Sequence, residues 1–194
     1  LVTLGQYEVA EGLAKAARED NVMSHLLNYQ GAMREVSAFT ADPQSGQKIK
    51  ARFDLVCRYD GDPDLLKQIP DWKSGDVIIP DIKTSESQSP EQFIVRDVVN
   101  FGYWISGALY RKVFSLVTGY MPRFWWLVLA KDKDGDFHSY VATLHDDDWM
   151  AAALEVDQQL MDLARSNLGG KFISPFANRV NIGRLPHYLR SGGK

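Results

Sequence analysis

The chain has 194 residues, of which 45% are apolar and 24% charged, with five Trp, nine Phe and a net charge of −3; this excludes a disordered chain and is enough to bury a core without staples. A single cysteine, Cys57, excludes an internal disulfide and any four-cysteine zinc or iron-sulfur centre made by this chain alone, and fits a reducing cytoplasm. No stretch approaches the ~20 apolar residues of a membrane span, no global basic field announces nucleic acid, and a start at Leu1, with neither initiator Met nor signal-peptide pattern, predicts one domain over 1–194 that lacks an N-terminal portion of the natural protein.

Residues 6–30 place apolar side chains at Leu13, Ala16, Met23, Leu26 and Leu27, the spacing of one or two amphipathic helices. From Glu35 the period shortens. Residues 48–59 ("KIKARFDLVCRY") alternate, with Ile49, Ala51, Phe53, Leu55, Cys57 and Tyr59 on one face and Lys48, Lys50, Arg52, Asp54, Val56 and Arg58 on the other, which predicts a strand. Residues 35–41 are its expected hairpin partner across "DPQSGQ". Residues 60–75, punctuated at both ends by Gly, Pro and Asp, read as a loop, and "DVIIPDIKTSES", residues 76–87, as a second strand. Ser89, Pro90 and Gln92 combine a hydroxyl cap, a first-turn proline and a capping-box glutamine. Helical spacing then runs from Ile94 to Leu116, the longest helix, until Gly119 and Pro122 end it.

"RFWWLVLA" (123–130) and "FHSYVATL" (137–144) predict a hairpin about "DKDGD", with Trp125 and Trp126 in the core. Asp146 to Asp148 cap a last helix running through Asn167 to Gly169 and Gly170. The irregular tail beyond carries Lys171, Arg179, Arg184 and Arg190. The order predicts an α/β (α+β) fold, a central mixed sheet flanked by helices.

Asp81 and Lys83 share one face of the second strand and Ile82 takes the other. Asp54 lies on the polar parity of the earlier strand, so if the two strands are neighbours the two carboxylates converge beside Lys83. Carboxylates at close range repel unless a cation separates them, and a hard divalent ion such as Mg²⁺ takes oxygen ligands, with the Ile82 carbonyl as a further one. A lysine beside such an ion holds or deprotonates a water aimed at phosphorus. The same residues equally fit a solvated cross-strand pair on a sheet edge, since Pro80 marks an edge or bulge.

The succession "ARFDLV", "IIPDIKT" and "FGYWISGALYR", with an acidic "MREVS" before the first strand, resembles the PD-(D/E)XK nuclease superfamily and, within it, the RecE-type exodeoxyribonuclease VIII group of phage exonucleases. That resemblance implies a restriction-endonuclease-like core with Asp54 and Asp81 as metal ligands, Lys83 as the catalytic lysine, Glu35 as a further acid near the site and Thr84 completing the D-x-K-T signature. It implies Mg²⁺ as cofactor, with Mn²⁺ able to substitute. Ser106 and Tyr110 fall where such nucleases carry Q-x-x-x-Y, so Tyr110 matches and Ser106 departs from the pattern. Tyr103, Ser106 and Tyr110 share a helix face. A metal-ligating histidine that similar exonucleases supply from an N-terminal helix has no counterpart, because His25 sits among apolar residues and reads as packing; no role falls to His138, His145 or His187.

Arg52, Lys48 and Lys50 share the parity of Asp54, and Arg111 and Lys112 follow Tyr110; such cations would contact phosphate without reading sequence. Double-stranded DNA ends are the expected partner, with a ring-like homo-oligomer and a single-strand annealing protein implied by the resemblance. The expectation is a cytoplasmic exonuclease that degrades one strand of linear duplex DNA in phage-type recombination. A restriction or repair endonuclease of the same superfamily, and a non-catalytic DNA-binding or assembly module, are the alternatives.

Overall fold

The computed structural model describes residues 3–58, 75–132 and 134–169. The expected loop at 60–75 and the cationic tail therefore lie almost wholly outside the described residues. The N-terminal pattern resolves into two helices because Asp20 interrupts it. Helix α1 (Leu4–Glu19) starts with a reciprocal box in which Thr3 Oγ1 accepts from the Gln6 N–H and the Gln6 side chain accepts from the Thr3 N–H. Asp20 then caps α2 (Asn21–Asn28), accepting from the Met23 N–H at 2.8 Å.

Five strands follow in spatial order: β1 (Met33–Ala41), β2 (Lys48–Arg58), β3 (Val77–Ser85), β4 (Arg123–Lys131) and β5 (Phe137–Ala142). Neighbours are antiparallel except β3 and β4, which run parallel. A parallel pair needs a long crossover, and the segment between them supplies it. The sheet is mixed and helices cover it, an α+β architecture.

The crossover is not the single helix that the spacing suggested. Ser89 caps a short turn, α3 (Pro90–Gln92), which passes into a π-helical stretch (Phe93–Val98). The Gln92 carbonyl oxygen of the side chain accepts from the Gln88 N–H at 2.6 Å. At Gly102 (φ 67°) the chain turns through the left-handed region, which only glycine enters cheaply, before α4 (Tyr103–Thr118) begins. The extra residue per turn and the glycine together break an apolar period that looks continuous in the sequence. Last comes α5 (Asp146–Leu168), capped by the His145 ring with three aspartates in its first turn, where they complement the helix dipole.

The sheet separates two apolar layers. On one face Phe53, Ile79, Phe93, Phe114, Phe124 and Trp126 pack beneath α4 and α5, and on the other Leu55, Cys57, Ile78, Trp125 and Leu127 pack beneath α1 and α2. Trp125 and Trp126 are thus both core, on opposite sides, and Trp126 stacks on Trp149 of α5 at 5.5 Å. Gly107 allows this closeness: a Cβ there would stand 2.8 Å from the Trp149 ring and 3.1 Å from Phe124.

The alternation read over 48–59 holds only as far as Phe53. Ile49, Ala51 and Phe53 face the α4–α5 layer, whereas Leu55 and Cys57 face the α1–α2 layer and Val56 takes their expected place. The partner strand reverses at the same point. Val36 and Ala38 pack with the first layer, while Arg34 reaches back to donate to the Leu27 carbonyl of α2 at 2.5 Å. Register is unchanged across the reversal, with Arg34 opposite Leu55 and Val36 opposite Phe53. No residue is inserted, and both strands instead deform at the Glu35/Asp54 position, where Glu35 has φ 51°.

At the tip of the β1–β2 hairpin, Asp42 is buried and its carboxylate takes the Lys112 ammonium at 2.6 Å, while Asp157 takes the same ammonium at 2.5 Å. Burial pushes the Asp42 carboxyl up, but hydrogen bonds from Lys112 and Ser45 outweigh it and hold the pKa below the ordinary value. Replacing Lys112 by Met leaves that carboxylate buried and unpaired, so Lys112→Met is expected to lose about 3 kcal/mol of stability in urea titration at pH 7. The contribution of Asp42 is present above its ordinary pKa of 3.8 and is lost as pH falls through the depressed folded value; the parent and variant curves therefore converge in acid.

Candidate active site

Among the described residues β2 and β3 share ladder pairs at two positions, Cys57 with Ile78 and Arg58 with Val77, and the ladder opens beyond them. Continuing that register puts residue 54 opposite residue 81, so the reversal of β2 falls where the strands part. Asp54 turns into the opening and its Oδ2 accepts from the Ile82 N–H at 3.0 Å. A strand amide left without a ladder partner is thereby satisfied by a carboxylate.

Asp81 faces the α4–α5 layer and is buried, and the Lys83 ammonium rests on its Oδ2. The same ammonium donates to the Ile82 carbonyl at 3.4 Å and lies over the Tyr103 ring, 5.2 Å from its centroid. Burial raises the Asp81 pKa; the Lys83 contact lowers it without offsetting the burial, and the charge of Asp54 adds to the rise. Two carboxylates are thus close enough for the charge of one to act on the other, and the one lysine of the cluster is paired to Asp81.

Tyr110 belongs to the same cluster. Its ring meets Phe53 edge-on at 5.6 Å, and its hydroxyl pKa is raised by burial and then by the charges of Asp81 and Asp54, with Lys83 and Arg52 acting the other way. Arg52 is exposed and directs its Nε to Glu35 Oε2 at 3.2 Å. Glu35 lies on β1, across β2 from the opening, with its carboxylate occupied by Arg52.

Other sequence candidates lie elsewhere. Thr84 follows Lys83 and so points to the opposite face, lining a groove of about 410 Å³ with Val9, Leu13 and Leu129. Ser106 is exposed and its hydroxyl donates to the Tyr103 carbonyl of its own helix at 3.0 Å. Arg111 donates to the Pro122 carbonyl at 3.1 Å and lies over Trp149, 5.0 Å from the ring centroid. Lys112 is held by Asp42 and Asp157. His25 sits 6.0 Å from the Tyr29 ring in α2.

Two features carried no strong sequence signal. Tyr103 shares a helix face with Tyr110, but nothing in the spacing places its ring against Lys83. At the end of β3, Asp97 is buried and takes Ser85 Oγ and, at 3.0 Å, Ser87 Oγ, while the Tyr140 hydroxyl donates to the Ser87 carbonyl at 2.8 Å. Burial and Asp97 push the Tyr140 hydroxyl up to about 12. This network ties the π-helical stretch to the strand that carries Asp81 and Lys83.

Among the described residues no group of three or more His, Cys, Asp or Glu side chains is placed to hold a metal. Mg²⁺ does not require one, since it is commonly bound through one or two carboxylates, with waters and substrate phosphates completing the octahedron. The raised pKa of Asp81, facing a second carboxylate, is the chemistry that such an ion relieves, so the donor set fits.

No protein-family model and no curated protein matches the sequence. Among solved structures, all of this chain is similar to 70% of a protein from Eubacterium rectale described as a "putative exonuclease", at 17% identity and a TM-score of 0.59. The two share a fold. A second solved structure, described as SSO0001, is similar over 80% of this chain and 59% of its own at 16% identity and a TM-score of 0.34. No helix among the described residues is long and apolar enough to cross a membrane.

With the folded pKa of Asp81 raised, protonation favours the folded state below 3.8, and that contribution is lost as pH rises through the folded value. Above it, the ionised carboxylate costs stability. Asp81→Asn is therefore expected to melt at a higher temperature than the parent at pH 7 in EDTA. The gap should close as the pH is taken towards 3.8, which thermal melts across a pH series would show.

Proposed function

We propose that the chain is a metal-dependent deoxyribonuclease, an exonuclease that degrades one strand of linear double-stranded DNA. The observation that carries this reading is the placement of Asp54 and Asp81 across the opening between β2 and β3, with the Lys83 ammonium on Asp81. Support also comes from the fold shared with the protein described as a "putative exonuclease".

In this reading Asp54, Asp81 and the Ile82 carbonyl hold Mg²⁺ or Mn²⁺, which when bound lowers the pKa of a water and offsets charge on the phosphate oxygens. Lys83 would orient the attacking water in line with phosphorus and the leaving oxygen, the water giving its proton to bulk solvent once the bound ion has lowered its pKa. Tyr110 borders the scissile phosphate from α4. Arg52, exposed at the rim, exchanges Glu35 for a backbone phosphate, and Glu35 is released to the site. Contacts of this kind position a duplex without reading its sequence. A ring-like assembly around DNA, handover to a single-strand annealing protein, a place in phage-type recombination and a cytoplasmic location belong to the same proposal through the resemblance set out above.

Incubation with linear and covalently closed circular duplexes in Mg²⁺ tests the reading. Loss of the linear DNA alone is expected, because an end-dependent enzyme spares the closed circle; loss of both would mark an endonuclease. Asp81→Ala and Lys83→Ala are each expected to slow degradation by at least about a hundred-fold, and parental rates in both variants would remove the metal-site assignment.

A further inference from the structure

We propose that Tyr103 is the positioning residue for Lys83, its ring confining the ammonium that also rests on Asp81. The inference rests on the nuclease reading for its catalytic consequence, but the contact itself is independent of it. A lysine stem has four rotatable bonds and its ammonium is a point charge, so a defined position must be imposed from outside. Three partners impose it here: Asp81 Oδ2, the Ile82 carbonyl at 3.4 Å and the Tyr103 ring at 5.2 Å.

Both oxygen partners are groups that a divalent cation would also take. The ring is the partner for which no cation in the site competes. It therefore holds the ammonium in place when the oxygens are engaged elsewhere, through attraction to the electron-rich face of the ring.

The ring is itself fixed. Phe93, fully buried, lies 6.2 Å from it, and the exposed Phe101 lies 5.6 Å away. Tyr103 is the first residue of α4, directly after the left-handed turn at Gly102. Were the π-helical stretch and α4 one straight helix, the residue at this position would follow the phase of Ile94 and Val98 rather than start afresh. The break in the crossover is thus what sets the ring against β3.

The test compares the parent with Tyr103→Phe and Tyr103→Leu, using linear duplex and Mg²⁺, with melting temperatures to confirm folding. Tyr103→Leu is expected to lower kcat by about ten-fold with KM changed by less than about two-fold. Tyr103→Phe, which keeps the ring, is expected to restore kcat to within about three-fold of the parent. A readout without metal or substrate is the NMR shift of the Lys83 ε-methylene in ¹³C-lysine-labelled protein, assigned by its absence in Lys83→Ala. It should be displaced upfield by the ring in the parent and in Tyr103→Phe, and return to an ordinary lysine position in Tyr103→Leu. An undisplaced Lys83 signal in the parent, or parental kcat in a folded Tyr103→Leu, overturns the proposal. If the parent cleaves no DNA, or Lys83→Ala cleaves as the parent does, the nuclease reading fails, and the methylene shift still decides whether Tyr103 holds Lys83.

Discussion

The structure turns on one deformation, the simultaneous reversal of β1 and β2 at Glu35 and Asp54. Two apolar layers lie on either side of the sheet, and β2 serves first one and then the other. A regular strand cannot do this, since its side chains alternate without change of phase. The phase is lost where Glu35 enters the left-handed region, at a cost of roughly 1–2 kcal/mol for a residue with a Cβ, and where β2 stops pairing with β3. The opening so formed is polar because it exposes ladder groups. Asp54 occupies it, satisfying the Ile82 N–H, and this brings its charge against Asp81.

Two buried aspartates show how the same side chain serves opposite ends. Asp42 is surrounded by donors, Lys112 and Ser45, and its pKa is lowered; it is a settled ion pair at a hairpin tip. Asp81 has a lysine of its own, yet burial and the facing carboxylate outweigh that lysine and its pKa is raised. The first arrangement is electrostatically complete. The second lacks positive charge, and this is the kind of imbalance found where a site awaits a cation or a substrate. Tyr110, whose hydroxyl is raised by the same two carboxylates, registers the imbalance from the helix above.

Most elements were legible because their signals are local. Caps at Asp20 and Ser89, turn residues around 42–47 and the alternation from Lys48 to Phe53 act within a few positions. The reversal at Asp54 was not read, although "LVC" holds its trace: Leu55, Val56 and Cys57 are all buried, as befits a strand with a layer on each face. An alternation template assigns the middle residue to solvent and so misses it. The helix break escaped because Phe93 to Leu116 stays apolar at helical spacing on both sides of Gly102. Proximity of residues 54, 81 and 83 followed from the resemblance and from taking the two strands as neighbours, whereas regular alternation alone sets Asp54 on the face away from Asp81. The partners of Lys112 and Arg111, by contrast, come from Asp42, Pro122 and Trp149, and no local pattern encodes contacts of that separation.

The crossover between β3 and β4 explains why the carboxylates, the lysine and the two tyrosines meet. A parallel pair obliges the chain to leave the end of β3 and return alongside it, so the connecting helices must pass over the face that carries Asp81 and Lys83. The passage is pinned at its start by Asp97, which binds Ser85 and Ser87, and by Tyr140 from the far edge of the sheet. It is pinned further on by Lys112, which joins α4 to the β1–β2 hairpin and to α5. Between those two polar anchors lie Tyr103 and Tyr110, seven residues apart on one side of α4. Tyr110 packs on Phe53 of β2 and Phe124 of β4 and Tyr103 lies by Lys83 of β3, so both rings border the stretch where β2 and β3 have stopped pairing. The exposed Arg52, one residue from Phe53 and paired with Glu35, supplies the positive charge nearest that stretch from β2.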